Sequence, residues 1–450
     1  MQPFTPAVPT APTAATVTTA LTAPTVAEVL RGGGLSSVFQ PVVELSTGAI
    51  AGYEALARGP SGQLASPDRL LSAARAEGLV AELDRACRRA AFTRAVARGL
   101  TPPLRLFVNV DPEALDTVSS RQLVTEIRDF AGGLRVVVEL PERALGTRPA
   151  DLLRTVDQVR EFGWGVALDD VGTEPLSLAF LSLLRPDVVK LDLRIVQQRP
   201  DSWVAQLMTA VNAYSERSGA LVLAEGIETP RHLAQAQALG AHLGQGWLFG
   251  RPAADPPAAA LTTELRFPAH QVPNRQVDSP FGLLRPGLVR RRGPKSLLIQ
   301  VSRHLEREAA RLGRTSILAA TFQQGERFTP ATAARYRDLA DRVGFVCVLG
   351  AGLPDDPFPG LRSGDLLPGD PLRSEWDVVV LDPHVAVALL AREVGDGGPD
   401  EDRMFEFAVT HDRPTVEKAA HALIAKLVPT PVSGAAHGGP AGHPSPAADR

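Results

Sequence analysis

The sequence predicts an α/β protein: a TIM-like (β/α)8 barrel over residues 31–255, followed by a smaller α/β domain over 281–428. Three observations lead there. Apolar strand-like runs alternate with helical spacing from Val38 to Leu248; about eight of them fit into some 220 residues; and run after run ends in a carboxylate, amide or ammonium side chain. Strands separated by helices pair in parallel through right-handed crossovers, and that number in that length suits a closed barrel better than an open sheet.

The elements follow in order. Residues 38–43 and 50–56 read as strands joined by the turn chemistry of Ser46-Thr47-Gly48. Ser66-Pro67-Asp68 has the form of an N-cap, a proline at the first helical position and an early acid, and opens helical spacing that breaks at Gly78 and runs to about Gly99. Strands at 104–110, 134–140, 165–169, 187–191, 220–225 and 242–248 then alternate with helices at about 112–131, 149–163, after 174, 202–218 and 230–239. In the second domain, helices are expected at 295–312, 330–343 and 413–427, with strands at 316–322, 345–349, 376–381 and 405–409.

Between and around these domains the composition changes. Residues 1–30 are rich in Ala, Pro and Thr and predict a disordered leader; 256–280 read as a linker and 429–450 as a disordered tail. The whole chain has 450 residues, 44% of them hydrophobic and 22% charged, enough for two buried cores. A net charge of −3 gives no case for nucleic acid as a partner. Two distant cysteines, Cys87 and Cys347, argue against a disulfide framework and for a reducing, cytoplasmic setting. No run approaches the roughly 18 apolar residues of a membrane span.

The strand ends carry the chemistry. In order they offer Glu54, Asn109, Glu139, the adjacent pair Asp169 and Asp170, Lys190, Glu225 and Gln245. An isolated acid at a strand end more often caps the next helix; repetition is what asks for another reason. A parallel barrel gathers such residues at one mouth. So many carboxylates would repel each other unless cations neutralised them. Oxygen donors without Cys or His favour Mg²⁺ or Mn²⁺ over Zn²⁺. That pattern points to metal-dependent hydrolysis of a phosphate ester.

With these residues in place, the stretch from about 35 to 252 resembles the EAL-domain phosphodiesterases, which hydrolyse cyclic di-GMP to its linear dinucleotide. The triplet stands as Glu54-Ala55-Leu56 with Arg58 beyond it, preceded by Phe39-Gln40-Pro41. Glu139-Leu140-Pro141-Glu142, Asp169-Asp170-Val171-Gly172-Thr173, Lys190-Leu191-Asp192, Ala224-Glu225-Gly226-Ile227-Glu228-Thr229 and Gln245-Gly246-Trp247-Leu248-Phe249-Gly250-Arg251-Pro252 complete the series.

The resemblance implies two Mg²⁺ or Mn²⁺ ions per barrel, held by Glu54, Asn109, Glu139, Asp169, Asp170 and Glu225. It implies catalytic roles for Lys190, Glu225 and Gln245, and substrate contacts from Gln40, Leu56 and Arg58. Glu142, Thr173 and Asp192 would support that set, and Glu228 would brace the loop after Asp170. A homodimer through the barrel is a further implication. The loop itself departs from the family pattern. The family usually continues Phe-Gly-Thr-Gly-Tyr-Ser-Ser-Leu, where this chain reads Val171-Gly172-Thr173-Glu174-Pro175-Leu176-Ser177-Leu178. A barrel that binds cyclic di-GMP without turning it over, and a protein-interaction platform, therefore stay open as alternatives.

Residues 281–428 resemble the DICT domain, a sensory module. The resemblance rests on Ser302-Arg303-His304-Leu305-Glu306, Phe328-Thr329-Pro330-Ala331-Thr332, Gly350-Ala351-Gly352-Leu353-Pro354, Pro368-Gly369-Asp370-Pro371-Leu372, Glu375-Trp376 and Pro383-His384. It implies a sensory ligand or protein partner without naming one. Arg290-Arg291-Arg292 read as a solvated helix start. Gly287 to Ser296 only echoes a phosphate loop, because Pro294 removes an N–H the cradle would need. His304, His384 and His411 lack metal-ligand spacing, and Cys347 and Trp376 are expected in the core.

Overall fold

The computed structural model describes residues 24–32, 34–111, 125, 133–256, 261–268, 279–285, 287–395 and 399–427. The helix expected at about 112–131, most of the leader and the tail lie outside the described residues, apart from a helical Thr125.

The first sheet is a closed barrel of β1 (Ser36–Glu44), β2 (Ile50–Arg58), β3 (Arg105–Asn109), β4 (Arg135–Pro141), β5 (Gly165–Val171), β6 (Val188–Leu191), β7 (Leu221–Ala224) and β8 (Leu243–Gly244), in chain order. β2 to β8 run parallel, whereas β1 is antiparallel to both its neighbours. The local cause is the tight turn after β1, with Gly48 at φ 73, which returns the chain as a hairpin without a crossover helix. Inside the barrel, Val42, Ala51, Phe107, Val137, Ala167, Val188, Leu223 and Leu243 fill the floor.

Helices α1 (Val26–Gly32), α2 (Pro67–Glu77), α3 (Val80–Ala97), α4 (Pro149–Glu161), α5 (Leu176–Leu184), α6 (Leu193–Gln197), α7 (Ser202–Ser218) and α8 (Pro230–Ala238) belong to the barrel region. α2 starts as its sequence dictates. The Ser66 side chain accepts from the Arg69 N–H, Pro67 stands in the first turn, and Gly78 at φ 69 ends the helix.

Two expectations need correction. The end of the leader is α1, with Val26 and Val29 buried and Glu77 accepting the N–H groups of Val26 and Ala27. Val26, Val29 and Leu30 at helical spacing outweigh the Ala-, Pro- and Thr-rich composition before them. Nor is 256–280 a free linker throughout: Leu265 is buried against the barrel floor, and its carbonyl accepts from Arg105. The Phe267 ring lies 4.1 Å from the Arg105 guanidinium and fills the space a Cβ on Gly165 would need.

The second sheet has seven strands: β9 (Arg291–Pro294), β10 (Ile317–Gln324), β11 (Phe345–Ala351), β12 (Leu361–Asp365), β13 (Glu375–Leu381), β14 (Ala386–Glu393) and β15 (Met404–Thr410). They lie in the order β12-β11-β10-β13-β14-β15-β9, with β10, β11 and β12 parallel and the remaining pairs antiparallel. Arg291 and Arg292 thus sit on an exposed edge strand; the helix starts only after them, at Lys295. Cys347 is buried in β11, where burial pushes its thiol up to about 12.

Period-two alternation divides this sheet into two faces. Leu318, Ala320, Val346, Val348, Val378 and Val380 pack under α9 (Lys295–Leu312) and α10 (Pro330–Arg342). Ile317, Ala319, Phe345, Cys347, Val379 and Leu381 join α11 (Arg413–Ile424) and the barrel helices in one continuous core. α5 explains the junction. Its sequence, LSLAFLSLL, is apolar all round, and every residue from Ser177 to Leu184 is buried. Phe180 on α5 meets Phe345 on β11 edge to face, ring centroids 5.3 Å apart. Arg362 adds polar contacts, donating to the carbonyls of Gly146 and Thr147 at 2.9 and 3.0 Å.

Candidate active site

Each strand of the barrel delivers its polar residue to the same mouth. Glu54 lies on β2, Asn109 ends β3, Glu139 is on β4, Asp169 and Asp170 are on β5 and Lys190 on β6. Glu225 and Gln245 follow β7 and β8 directly. Strict alternation would send one of two adjacent aspartates away from the mouth. β5 avoids this with a bulge: its pairing with β6 breaks between Leu168 and Val171, and Asp170 takes φ 58. The carboxylates of Asp169, Asp170 and Glu225 consequently offer oxygens all within 4.8 Å of one another.

Lys190 stands at the centre, 1% exposed. Its Nζ lies 2.6 Å from Glu139 Oε1, 2.8 Å from Glu225 Oε1, 2.9 Å from Asp169 Oδ1 and 3.8 Å from Glu54 Oε2. Burial alone would discharge the ammonium, but Asp169, Glu139, Glu225 and Glu54 outweigh it and hold Lys190 well above the usual lysine range.

One ammonium does not balance so many acids. Burial, reinforced by Glu54, drives Glu139 far above the ordinary carboxylate range. Glu225 is pushed up to about 8, first by burial, with Lys190 opposing and Asp169 and Glu54 adding to it. Asp170 is raised by burial and then by Asp169. Glu139 is fully buried; Lys190 reaches its Oε1, while its Oε2 has no hydrogen bond among the described residues. A buried carboxylate oxygen left without a partner beside three converging acids fits a divalent cation, since oxygen donors are what Mg²⁺ and Mn²⁺ take.

Amides orient the acids. Asn109 Nδ2 donates to Glu54 Oε1 at 3.0 Å, and Gln245 Nε2 donates to Glu54 Oε2 at 2.6 Å and to Gln40 Oε1 at 3.2 Å. Gln40 pairs with Glu54 in the β1–β2 register and donates to the Gly250 carbonyl at 3.2 Å. Leu56 and Arg58 are half-buried further along β2; Arg58 donates to the Ala57 carbonyl and has no carboxylate partner among the described residues.

The surrounding loop is built without its usual glycine and aromatic. Glu142 accepts from the Glu174 N–H and hydrogen-bonds Thr173, while burial pushes it up to about 8. Pro175 precedes α5 with φ −63, a value proline adopts without strain at a helix start. The Trp203 indole donates to the Gly172 carbonyl at 2.9 Å. Asp192 caps α6, accepting from the Arg194 N–H and guanidinium. Glu228 does not brace this loop. Its side chain is exposed and makes no described hydrogen bond or ion pair, because the chain leaves the mouth at Gly226 (φ 66) to enter the Thr229-capped α8. Trp203 went unnoticed in the sequence; its only signal was an aromatic in the first turn of a helix.

Residues 24–252 match the EAL domain, and 288–394 match the "Sensory domain in DIguanylate Cyclases and Two-component system", DICT. The chain is 33% identical over 252 residues to a Pseudomonas aeruginosa protein named cyclic di-GMP phosphodiesterase NbdA, covering 53% of this chain and 31% of that protein. It is 30% identical over 243 residues to cyclic di-GMP phosphodiesterase RocR of the same organism, covering 51% and 61%. Among solved structures, the calcium and cyclic di-GMP complex of Klebsiella pneumoniae BlrP1 aligns at 28% identity with a TM-score of 0.45, over 52% of this chain and 58% of that one. The chain spans about a third of the length of the first curated relatives it matches. Among the described residues, no helix is long and apolar enough to cross a membrane.

Proposed function

Because the chain belongs to the EAL-domain family, we propose that its barrel hydrolyses cyclic di-GMP to the linear dinucleotide pGpG and that the DICT-type domain regulates this reaction. The observation that carries the reading is the fully buried Glu139 carboxylate, with its Oε2 free of hydrogen bonds among the described residues, gathered with Glu54, Asp169 and Glu225 around Lys190. Glu54, Asn109, Glu139, Asp169, Asp170 and Glu225 would hold the cations, two Mg²⁺ or Mn²⁺ per barrel. Bound there, divalent cations supply Lewis acidity and lower the pKa of water.

The chain's own residues do the rest. Glu225, displaced upward and one-fifth exposed at the mouth, receives a proton from the attacking water. Lys190, charged and fixed among the acids, orients that water and offsets negative charge as it develops. Gln245 and Asn109 hold Glu54 in one orientation, and Gln245 ties Gln40 to the same network. Arg58 presents its planar fork to a phosphate of the substrate, with Gln40 and Leu56 beside it. We place the reaction in the cytoplasm and allow a second copy as a partner.

The test is chromatographic turnover of cyclic di-GMP by the full chain with Mg²⁺ and with Mn²⁺, against Glu54→Ala. Linear product from the intact chain alone supports the enzyme. Absence of product together with calorimetric binding of cyclic di-GMP in Ca²⁺ would replace it with a receptor.

A further inference from the structure

Away from the barrel, a cavity of about 300 Å³ lies between α9, α10 and the adjoining face of the second sheet. Its apolar wall comes from Ile299, Ala320, Val378 and the rings of Phe322, Tyr336 and Trp376. The size falls at the lower end of the roughly 300–1,000 Å³ range of ligand pockets, and suits one ring with a short substituent. Phe322 and Tyr336 are locked edge to face 5.4 Å apart, and Trp376 against Phe405 at 5.5 Å, so the aromatic wall is preformed.

Most charges lining this space already have partners. Arg335 pairs with Glu306 at 2.7 Å, Lys295 pairs with Asp400, and Arg403 is held by Glu393 and Asp400. A bulge in β10 turns the buried Gln323 to φ 59, from where its side-chain Oε1 accepts from Arg403 at 2.6 Å. Arg327 is different. Its Nη1 is buried without a hydrogen bond, and no carboxylate lies within 4 Å of it among the described residues. The Ser302 hydroxyl, on a side of α9 that lines the same space, is also buried and unpartnered. A half-buried guanidinium and a buried hydroxyl left without partners beside an aromatic wall lack what a ligand would bring.

We propose that this cavity binds a small organic monoanion, a carboxylate carried on an aromatic-sized apolar body, with Arg327 gripping the carboxylate and Ser302 donating to it. Arg303 also lines the cavity without an ion pair among the described residues but is exposed, so Arg327 is the lining guanidinium whose buried nitrogen lacks a partner, and its planar fork matches a carboxylate's two oxygens. The ring of the ligand lies against Phe322, Tyr336 and Trp376. This deepens the sensory reading of the second domain and shares no residue with the barrel mouth.

The experiment is calorimetry on the full chain with benzoate, phenylacetate and indole-3-acetate, each beside its neutral amide. At least one acid should bind about tenfold or more tightly than its amide, the difference a charge-assisted hydrogen bond makes. Arg327→Gln should erase that preference, Ser302→Ala should weaken the acid severalfold, and Glu54→Ala should leave both unchanged. Equal binding of acid and amide, no binding at millimolar concentration, or a preference that survives in a folded Arg327→Gln protein would each overturn the proposal. Cyclic di-GMP turnover in the same samples is a separate readout. A carboxylate bound through Arg327 with no change in turnover upholds the site and removes only its regulatory use.

Discussion

Gln245 donates to Glu54 Oε2 at 2.6 Å while reaching Gln40 with the same nitrogen, so the strand that closes the barrel fixes the acid on the strand that nearly opens it. Asn109 holds the other Glu54 oxygen. Groups that orient a ligating carboxylate contribute about 10–100-fold to metal affinity or activity. Gln245→Ala should therefore weaken Mn²⁺ binding by about that factor, read by calorimetry on the full chain. Unchanged affinity would mean that Glu54 needs no second hand.

Lys190→Met removes the ammonium that Glu139, Glu225 and Asp169 surround. Breaking a buried ion pair on one side costs about 3–5 kcal/mol, and protonation of Glu139 and Glu225 should recover part of it. The metal-free variant should denature at lower urea than the parent, with Mn²⁺ narrowing the gap. A variant that is equally stable without metal would remove Lys190 from its structural part.

The acids also set a pH dependence. Glu225, raised by burial to about 8, carries a proton at neutral pH in the metal-free chain, but cation binding needs its carboxylate. Metal affinity should rise with pH until about 8 and then level off, with protons released on binding. The sign for stability is opposite. An acid whose folded pKa is raised stabilises the chain below its unfolded value and loses that contribution as pH climbs through the folded one. Metal-free chain should thus be less stable at pH 8 than at pH 5 as far as Glu225 is concerned. Titration in two buffers of different protonation enthalpy measures the release; a flat affinity profile would contradict it.

Phe180 is wholly buried where α5 meets β11. Truncating a buried phenylalanine to alanine costs about 3–5 kcal/mol, so Phe180→Ala should lower the denaturation midpoint of barrel and second domain together. If one domain unfolds at its old midpoint while the other shifts, the shared core does not couple them.

Much of this was legible in the sequence because strand ends repeat. Seven apolar runs each finish in Glu, Asn, Asp, Lys or Gln, and a parallel barrel has only one mouth to send them to. What stayed hidden depended on partners distant in the chain. The bulge that aims Asp170 leaves no mark in Leu168-Asp169-Asp170, and Glu228 looked like part of the constellation although the chain has already turned away there. β14 (AVALLARE) is apolar on both faces, so it lacks the alternation that betrays a half-buried strand. Leu265 and Phe267 sit in a Pro- and Ala-rich stretch whose composition says linker, while their position under the barrel makes them a plug.

The alternation of the second sheet means that neighbouring codons of β10 report on different things. Ala319 belongs to the core shared with the barrel, and Ala320, the next residue, lines the cavity. A saturation scan along 317–320 and 378–381 should then separate into two interleaved phenotypes, one altering how the barrel is seated and the next altering what the cavity admits. The sheet is a partition one residue thick.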